Sequence, residues 1–193
     1  MLEHVSGETL VVLDEAYVDY VAPENRVDSR SLVDKYPNLL VLRTFSKIYG
    51  LAALRVGYGF GSESVISGLT RVKQPFNVNA AAITAADASL SDDTFYYDSV
   101  RTNENGRKRL YEFFAQNGLE YTESHANFVT VELPVDAKPF ADAMLREGVA
   151  VRPLDSFGLS RRIRVTVGTE EQLSEFFNTF NTVLSYQASA SVS

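Results

Sequence analysis

The sequence predicts an α/β domain followed by a smaller α+β unit. Two observations carry that expectation. Near the start, two short, wholly apolar runs rich in Val and Leu each end in polar residues, with a helical stretch between them, as strands of a buried parallel sheet do. Later, alternating strands and amphipathic helices succeed one another, as in an α+β layer.

In chain order, TLVVLDEAYVDY (9–20) reads as a buried strand with a carboxylate at its exit. SRSLVDKYP is a weak helix closed by Pro37, and NLLVLRTFSK (38–47) repeats the strand-then-polar pattern, giving a strand-helix-strand unit. A third apolar run is LRVGYGFG (54–61). AAAITAADASL (80–90), dense in small residues, predicts a closely packed helix. The stretch from Tyr96 to Asn117 predicts a long amphipathic helix stopped at Asn117-Gly118. NFVTVEL (127–133) alternates as a strand, KPFADAMLREGV is a helix stopped by Gly148, and IRVTVG (163–168) is a second alternating strand. EEQLSEFFNTFNTVLSY (170–186) has helical spacing, with Thr169 suited to its N-cap and Glu171 and Gln172 nearby. The tail QASASVS (187–193) lacks apolar periodicity and is expected to be disordered.

Bulk properties exclude several classes. With 193 residues and 45% hydrophobic content the chain can bury a real core. A net charge of −7 argues against a nucleic-acid surface. No apolar run approaches the roughly 20 residues of a membrane span, and MLEHVSGETL lacks a signal-peptide pattern. Zero cysteines excludes disulfides and thiolate chemistry, and two histidines, His4 and His125, make a histidine-rich metal site unexpected. A cytoplasmic location is the default expectation.

The stretch RTFSKIYGLAALRVGYG (43–59) sets Lys47 and Arg55 among small and apolar residues, where an uncompensated charge is costly. Lys47 follows an apolar strand, as Asp14 does, so both belong to the carboxyl edge where open α/β sheets bind ligands. Taken singly, Asp14 is more commonly a cap, Tyr17 an edge-packing residue and Lys47 a snorkelling surface side chain. Together, Thr44, Ser46 and Arg55 with Gly50, Gly57 and Gly59 describe a phosphate site beside a candidate lysine nucleophile. No nucleotide P-loop pattern occurs. A cofactor bearing both a phosphate and an aldehyde suits that pairing. Arg161 and Arg162 read as solvated loop charges, His125 as a packed or capping residue, and Phe113, Phe114, Phe176, Phe177 and Phe180 as core; Tyr96 and Tyr97 carry no evident chemistry.

DEAYVDY, YPNLLVLRTFSKIYGLAALRVGYG, KQPFNVNAAA, HANFV and RIRVTVGT, in that order, closely resemble the histidinol-phosphate aminotransferases. These are fold-type-I enzymes that use pyridoxal 5′-phosphate. The resemblance runs from about Leu10 to Tyr186, and the S-K-x-x-G-L-A-x-L-R-x-G-Y core is its most specific part. It implies that residues 1–97 are part of the cofactor-binding large domain, with a mostly parallel sheet, and 98–186 the small C-terminal α+β domain. It implies that Lys47 forms the Schiff base and shuttles the proton between the substrate Cα and the cofactor C4′. Asp14 would pair with the pyridine nitrogen, and Tyr17 would hydrogen-bond the ring oxygen. Ser46 and Arg55 would hold the phosphate, with Thr44 a weaker candidate. Arg164 would clamp a substrate carboxylate, Arg152 would meet a substrate phosphate, and Asn127 matches a family position of structural or ligand-binding character.

The implied reaction transfers an amino group between L-histidinol phosphate (or imidazole-acetol phosphate) and glutamate/2-oxoglutarate in histidine biosynthesis, in a homodimer. Partners are then a small amino donor and a 2-oxo acid, with no nucleic acid, membrane or metal. An aromatic amino-acid aminotransferase, a phospho-amino-acid decarboxylase and a non-catalytic truncated domain are the alternatives. Only thirteen residues precede Asp14, whereas the family carries roughly 150–170 more before this strand. The expectation is a C-terminal portion with exposed apolar sheet edges, little or no transaminase activity alone, and a tendency to associate.

Overall fold

A computed structural model describes the backbone of residues 2–190 and the side chains of residues 2–186. The chain divides into two compact units, Met1–Ser99 and Val100–Ser193.

In the first unit, β1 (Val11–Asp14) pairs in parallel with β2 (Leu39–Thr44), Asp14 lying beside Leu42. The crossover carries α1 (Ser29–Lys35), whose N-cap Asp28 accepts from the Ser31 amide at 3.2 Å. The third apolar run forms β3 (Gly57–Gly61), which pairs with β2 antiparallel, so the sheet order is β1-β2-β3. Its glycines, expected to admit a ligand, instead let β3 lie against β2: a Cβ at Gly57 would stand 2.7 Å from the Arg43 carbonyl. Next come α2 (Glu63–Val72), which the sequence pattern did not predict, and α3 (Ala80–Ser89), capped by Asn79. Ala82 and Ala86 of α3 pack on Phe45 and Val56, which fixes the loop leaving β2. Among the described residues β1 pairs with β2 alone, and Leu10 and Val12 remain about half exposed, as the expected apolar edge requires.

The helix α4 (Asp93–Gln116) begins in the first unit and continues into the second. There, β4 (Tyr121–Thr122), β5 (Phe128–Glu132), β6 (Arg152–Leu154) and β7 (Leu159–Thr166) form an antiparallel sheet of order β4-β5-β7-β6. The helices α5 (Ala137–Arg146) and α6 (Glu170–Ala190) complete the unit. Val129, Val131, Ile163 and Val165 point from the sheet into a core that includes Phe113, Phe114, Phe140, Phe176 and Phe180. Phe113 stacks on Phe177 with centroids 4.4 Å apart, so the phenylalanine cluster is core as expected. α6 starts with a reciprocal cap: Thr169 Oγ1 accepts from the Gln172 amide, and Gln172 Oε1 accepts from the Thr169 amide. The helix runs past Tyr186 to Ala190, a span expected to be disordered, while residues 191–193 lie outside the described ones.

Arg161 and Arg162 are not loop charges. β7 reaches back to Leu159, and Glu132 on β5 takes Arg162 at 3.0 Å and Arg161 at 3.5 Å.

Candidate active site

In the first unit, the site is built at the exits of β1 and β2. Asp14 ends β1 with its side chain exposed, and its Oδ1 accepts from the Ala16 amide at 3.0 Å. That turn carries the chain into a one-turn helix headed by Tyr17. At the end of β2, Thr44 Oγ1 accepts from the Ser46 amide at 3.0 Å, so this hydroxyl shapes the exit. Phe45 and Ile48 are both buried and pin the backbone on either side of Ser46 and Lys47, whose side chains are half-buried. Gly50, at φ +69°, closes the turn by donating to the Lys47 carbonyl at 3.0 Å.

Two contacts organise these residues. The Lys47 ammonium lies over the Tyr17 ring, 5.2 Å from its centroid. The Arg55 guanidinium donates to Ser46 Oγ at 3.4 Å and to the Ala52 carbonyl at 2.8 Å. Arg55 adopts φ +55°, an uncommon left-handed conformation for a residue with a side chain. It thereby holds a fork-shaped cation beside a hydroxyl, two groups from the best donor set for a phosphate. Asp14, Tyr17, Thr44, Ser46, Lys47 and Arg55 thus share the carboxyl edge of one small sheet, with direct contacts within the pairs Lys47–Tyr17, Ser46–Arg55 and Thr44–Ser46. This donor set fits a phosphorylated aldehyde: donors for the phosphate, an amine for the aldehyde, a carboxylate for a ring nitrogen.

Beneath this edge lies a pair that the sequence pattern did not disclose. Glu15 is buried, and its Oε2 accepts from Arg43 Nε at 2.8 Å and from Ser29 Oγ at 3.2 Å. Burial by itself would lower the pKa of Arg43, but the hydrogen bonds and charges of Glu15 and Tyr58 raise it above the ordinary arginine value. Strand alternation was the available signal, since it turns Glu15 away from the face that Asp14 uses.

In the second unit, Arg164 on β7 stands opposite Arg152 on β6 and Thr130 on β5. Its guanidinium lies over the Phe128 ring at 4.9 Å, and its Nε is buried without a hydrogen-bond partner. Arg152 is exposed. Asn127 sits just before β5, where its carbonyl accepts from the Val167 amide at 2.8 Å. His125 is exposed.

The model for aminotransferase class I and II matches residues 1–180. The chain belongs to this family. A histidinol-phosphate aminotransferase 2 from Haemophilus influenzae (strain 86-028NP) is 42% identical over 185 residues, which cover 96% of this chain and 50% of that protein. Its counterpart in Pseudomonas aeruginosa is 44% identical over the same shares. Among solved structures, the histidinol-phosphate aminotransferase from Sinorhizobium meliloti in complex with pyridoxal-5′-phosphate superposes with a TM-score of 0.83 at 28% identity, over 96% of this chain and 51% of that one. The chain therefore spans about half the length of the curated relatives that it matches. Among the described residues no helix is long and apolar enough to cross a membrane, and no group of acidic or histidine side chains is arranged to hold a metal.

Proposed function

We propose that this chain carries the cofactor lysine and part of the substrate site of a pyridoxal-phosphate-dependent histidinol-phosphate aminotransferase. The observation that carries the reading is the Ser46–Arg55 pair one residue from Lys47, across from Asp14 at the neighbouring strand exit. Bound there, pyridoxal phosphate supplies an aldehyde that condenses with amines and a ring that accepts the electron pair of a broken Cα–H bond. Ser46 and Arg55 hold its phosphate by charge-assisted hydrogen bonds. Asp14 keeps the ring nitrogen protonated, and Tyr17 donates to the ring oxygen. Lys47 would hold the aldehyde, and its free amine would be the base that carries the substrate Cα proton to the cofactor C4′, across the nitrogen that joins the two carbons.

Arg164 and Arg152 receive the anionic groups of substrate, with Asn127 in support. Glutamate presents a carboxylate on its amino carbon, whereas histidinol phosphate presents a phosphate on the adjoining carbon. Two cations on opposed strands suit both ligands better than one. The amino-donor assignment rests on the named relatives and the homodimer on the resemblance, while a cytoplasmic location remains the default reading. Because those relatives are about twice as long, the reading gives these 193 residues by themselves little transaminase activity and a tendency to associate through the β1 edge.

The test is a spectroscopic titration with pyridoxal phosphate. A visible band that Lys47→Ala abolishes, and that borohydride fixes on the peptide containing Lys47, supports the assignment. Binding indifferent to Lys47→Ala would overturn it. Profiling amino donors with a protein that includes this chain and the other half of the family's length tests the substrate.

A further inference from the structure

Glu15 is the one buried carboxylate among the described residues. Taking a carboxylate out of water is costly unless it is paired. Here two hydrogen bonds to one oxygen compensate it, from Arg43 in β2 and from Ser29, the first residue of α1. The Arg43 guanidinium also covers the Phe60 ring of β3 at 5.5 Å. One carboxylate thus ties the exit of β1 to β2, β3 and the start of the crossover helix. The Glu15 amide adds a bond to the Leu42 carbonyl at 2.9 Å, which extends the parallel ladder one residue past Asp14.

The sheet does not need a charge for cohesion. Well-packed apolar side chains of similar volume hold such a place as well or better. What a hydrogen-bonded ion pair adds is direction, because it satisfies both partners in a narrow range of geometries. Its position shows what is directed: Glu15 follows Asp14 immediately, and Arg43 lies on the strand that delivers Ser46 and Lys47. Facing away from the Asp14 side of the sheet, Glu15 cannot itself touch a ligand at that edge.

We propose that Glu15 is a positioning residue, acting through Arg43 to fix the separation between Asp14 and Lys47. This rests on the reading of Lys47 as the lysine that reacts with pyridoxal phosphate. A site that loses such support by a fraction of an ångström loses reactivity while the fold persists.

The experiment compares lysines within one molecule. The purified chain is treated with pyridoxal phosphate and borohydride, and labelling of Lys47 is normalised by peptide mapping to that of the exposed Lys138 in the second unit. Lys47 is expected to label faster than Lys138, and Glu15→Gln to reduce that preference by on the order of tenfold to a hundredfold. The paired apolar replacement E15L/R43M, which leaves no lone buried charge, is expected to melt near the parent temperature and to lose the same preference. If both variants keep the parent's preference, the positioning role is overturned while Lys47 keeps its assignment. If the parent shows no preference for Lys47, the cofactor-lysine reading fails and this inference with it. Should E15Q not fold, the double variant decides; should neither fold, Glu15 is a structural residue and the inference is overturned.

Discussion

Arg152 and Arg164 stand directly opposite one another on the antiparallel strands β6 and β7. Like charges in that relation destabilise a sheet, and the buried Arg164 Nε lacks a hydrogen-bond partner. Two such costs on one sheet face fit a surface shaped for an incoming anion. Arg152→Gln is therefore expected to raise stability by about 0.2–1 kcal/mol, toward the low end because Arg152 is exposed. It should at the same time weaken inorganic phosphate binding several-fold. Urea denaturation and calorimetric titration of the same variant check both signs; lower stability would show that the pair is not in mutual repulsion.

Arg55 offers a second separation of stability from binding. Its left-handed backbone costs a side-chain-bearing residue about 1–2 kcal/mol relative to glycine. Arg55→Gly removes that strain but also the hydrogen bonds to Ser46 and Ala52, so the melting temperature should change little. Affinity for pyridoxal phosphate should fall by tenfold or more, since a charge-assisted contact is worth about 1.5–3 kcal/mol. Unchanged affinity in a fluorescence titration would remove Arg55 from the phosphate site.

Two helical glycines make a controlled comparison. Gly106 on α4 is buried, and an added Cβ would stand 2.3 Å from Val167 Cγ1 and 3.3 Å from Leu173 Cδ1. Gly68 on α2 has nothing within 4 Å of the same position. Gly68→Ala should stabilise by roughly 0.5–1 kcal/mol through helix propensity. At Gly106 the same gain is outweighed by overpacking of about 1–3 kcal/mol against a stiff β-branched neighbour. The double variant G106A/V167A should recover part of the loss, as a chemical-denaturation cycle would show.

Sequence periodicity disclosed the elements whose pattern is long or wholly apolar: β1, β2, α3, α4, α5, β5 and α6. It missed β4 and β6, which are two and three residues long and too short for any period. α2 went unassigned although Val65, Ile66, Leu69 and Val72 recur at helical spacing, because the run is short and Gly68 interrupts it. The paired arginines hid the first half of β7, where cross-strand Glu132 rather than alternation accounts for them. Thr44, Ser46, Lys47 and Arg55 were legible as a set because they are close in sequence, and Asp14 because it ends an apolar strand as the residues before Lys47 do. The Glu15–Arg43 pair was not, since it joins positions 28 apart that meet only through the parallel register.

Alkaline pH should destabilise the first unit through its phenols. Tyr20 is buried and Tyr49 half-buried in the first unit, near Asp19, to which Tyr96 Oη donates at 3.1 Å. Burial, then the charge of Asp19, pushes both phenols from 10.0 up to about 12. A group whose pKa is raised on folding retains its proton in the native state after the unfolded chain has lost it. Stability is therefore full below pH 10 and falls as pH rises from there toward 12. Urea midpoints measured from neutral pH to about pH 11 should decline in the parent. The decline should be shallower in Tyr20→Phe and shallower again in the Y20F/Y49F double variant. An equally steep decline in the double variant would mean that these two phenols do not govern the alkaline limb.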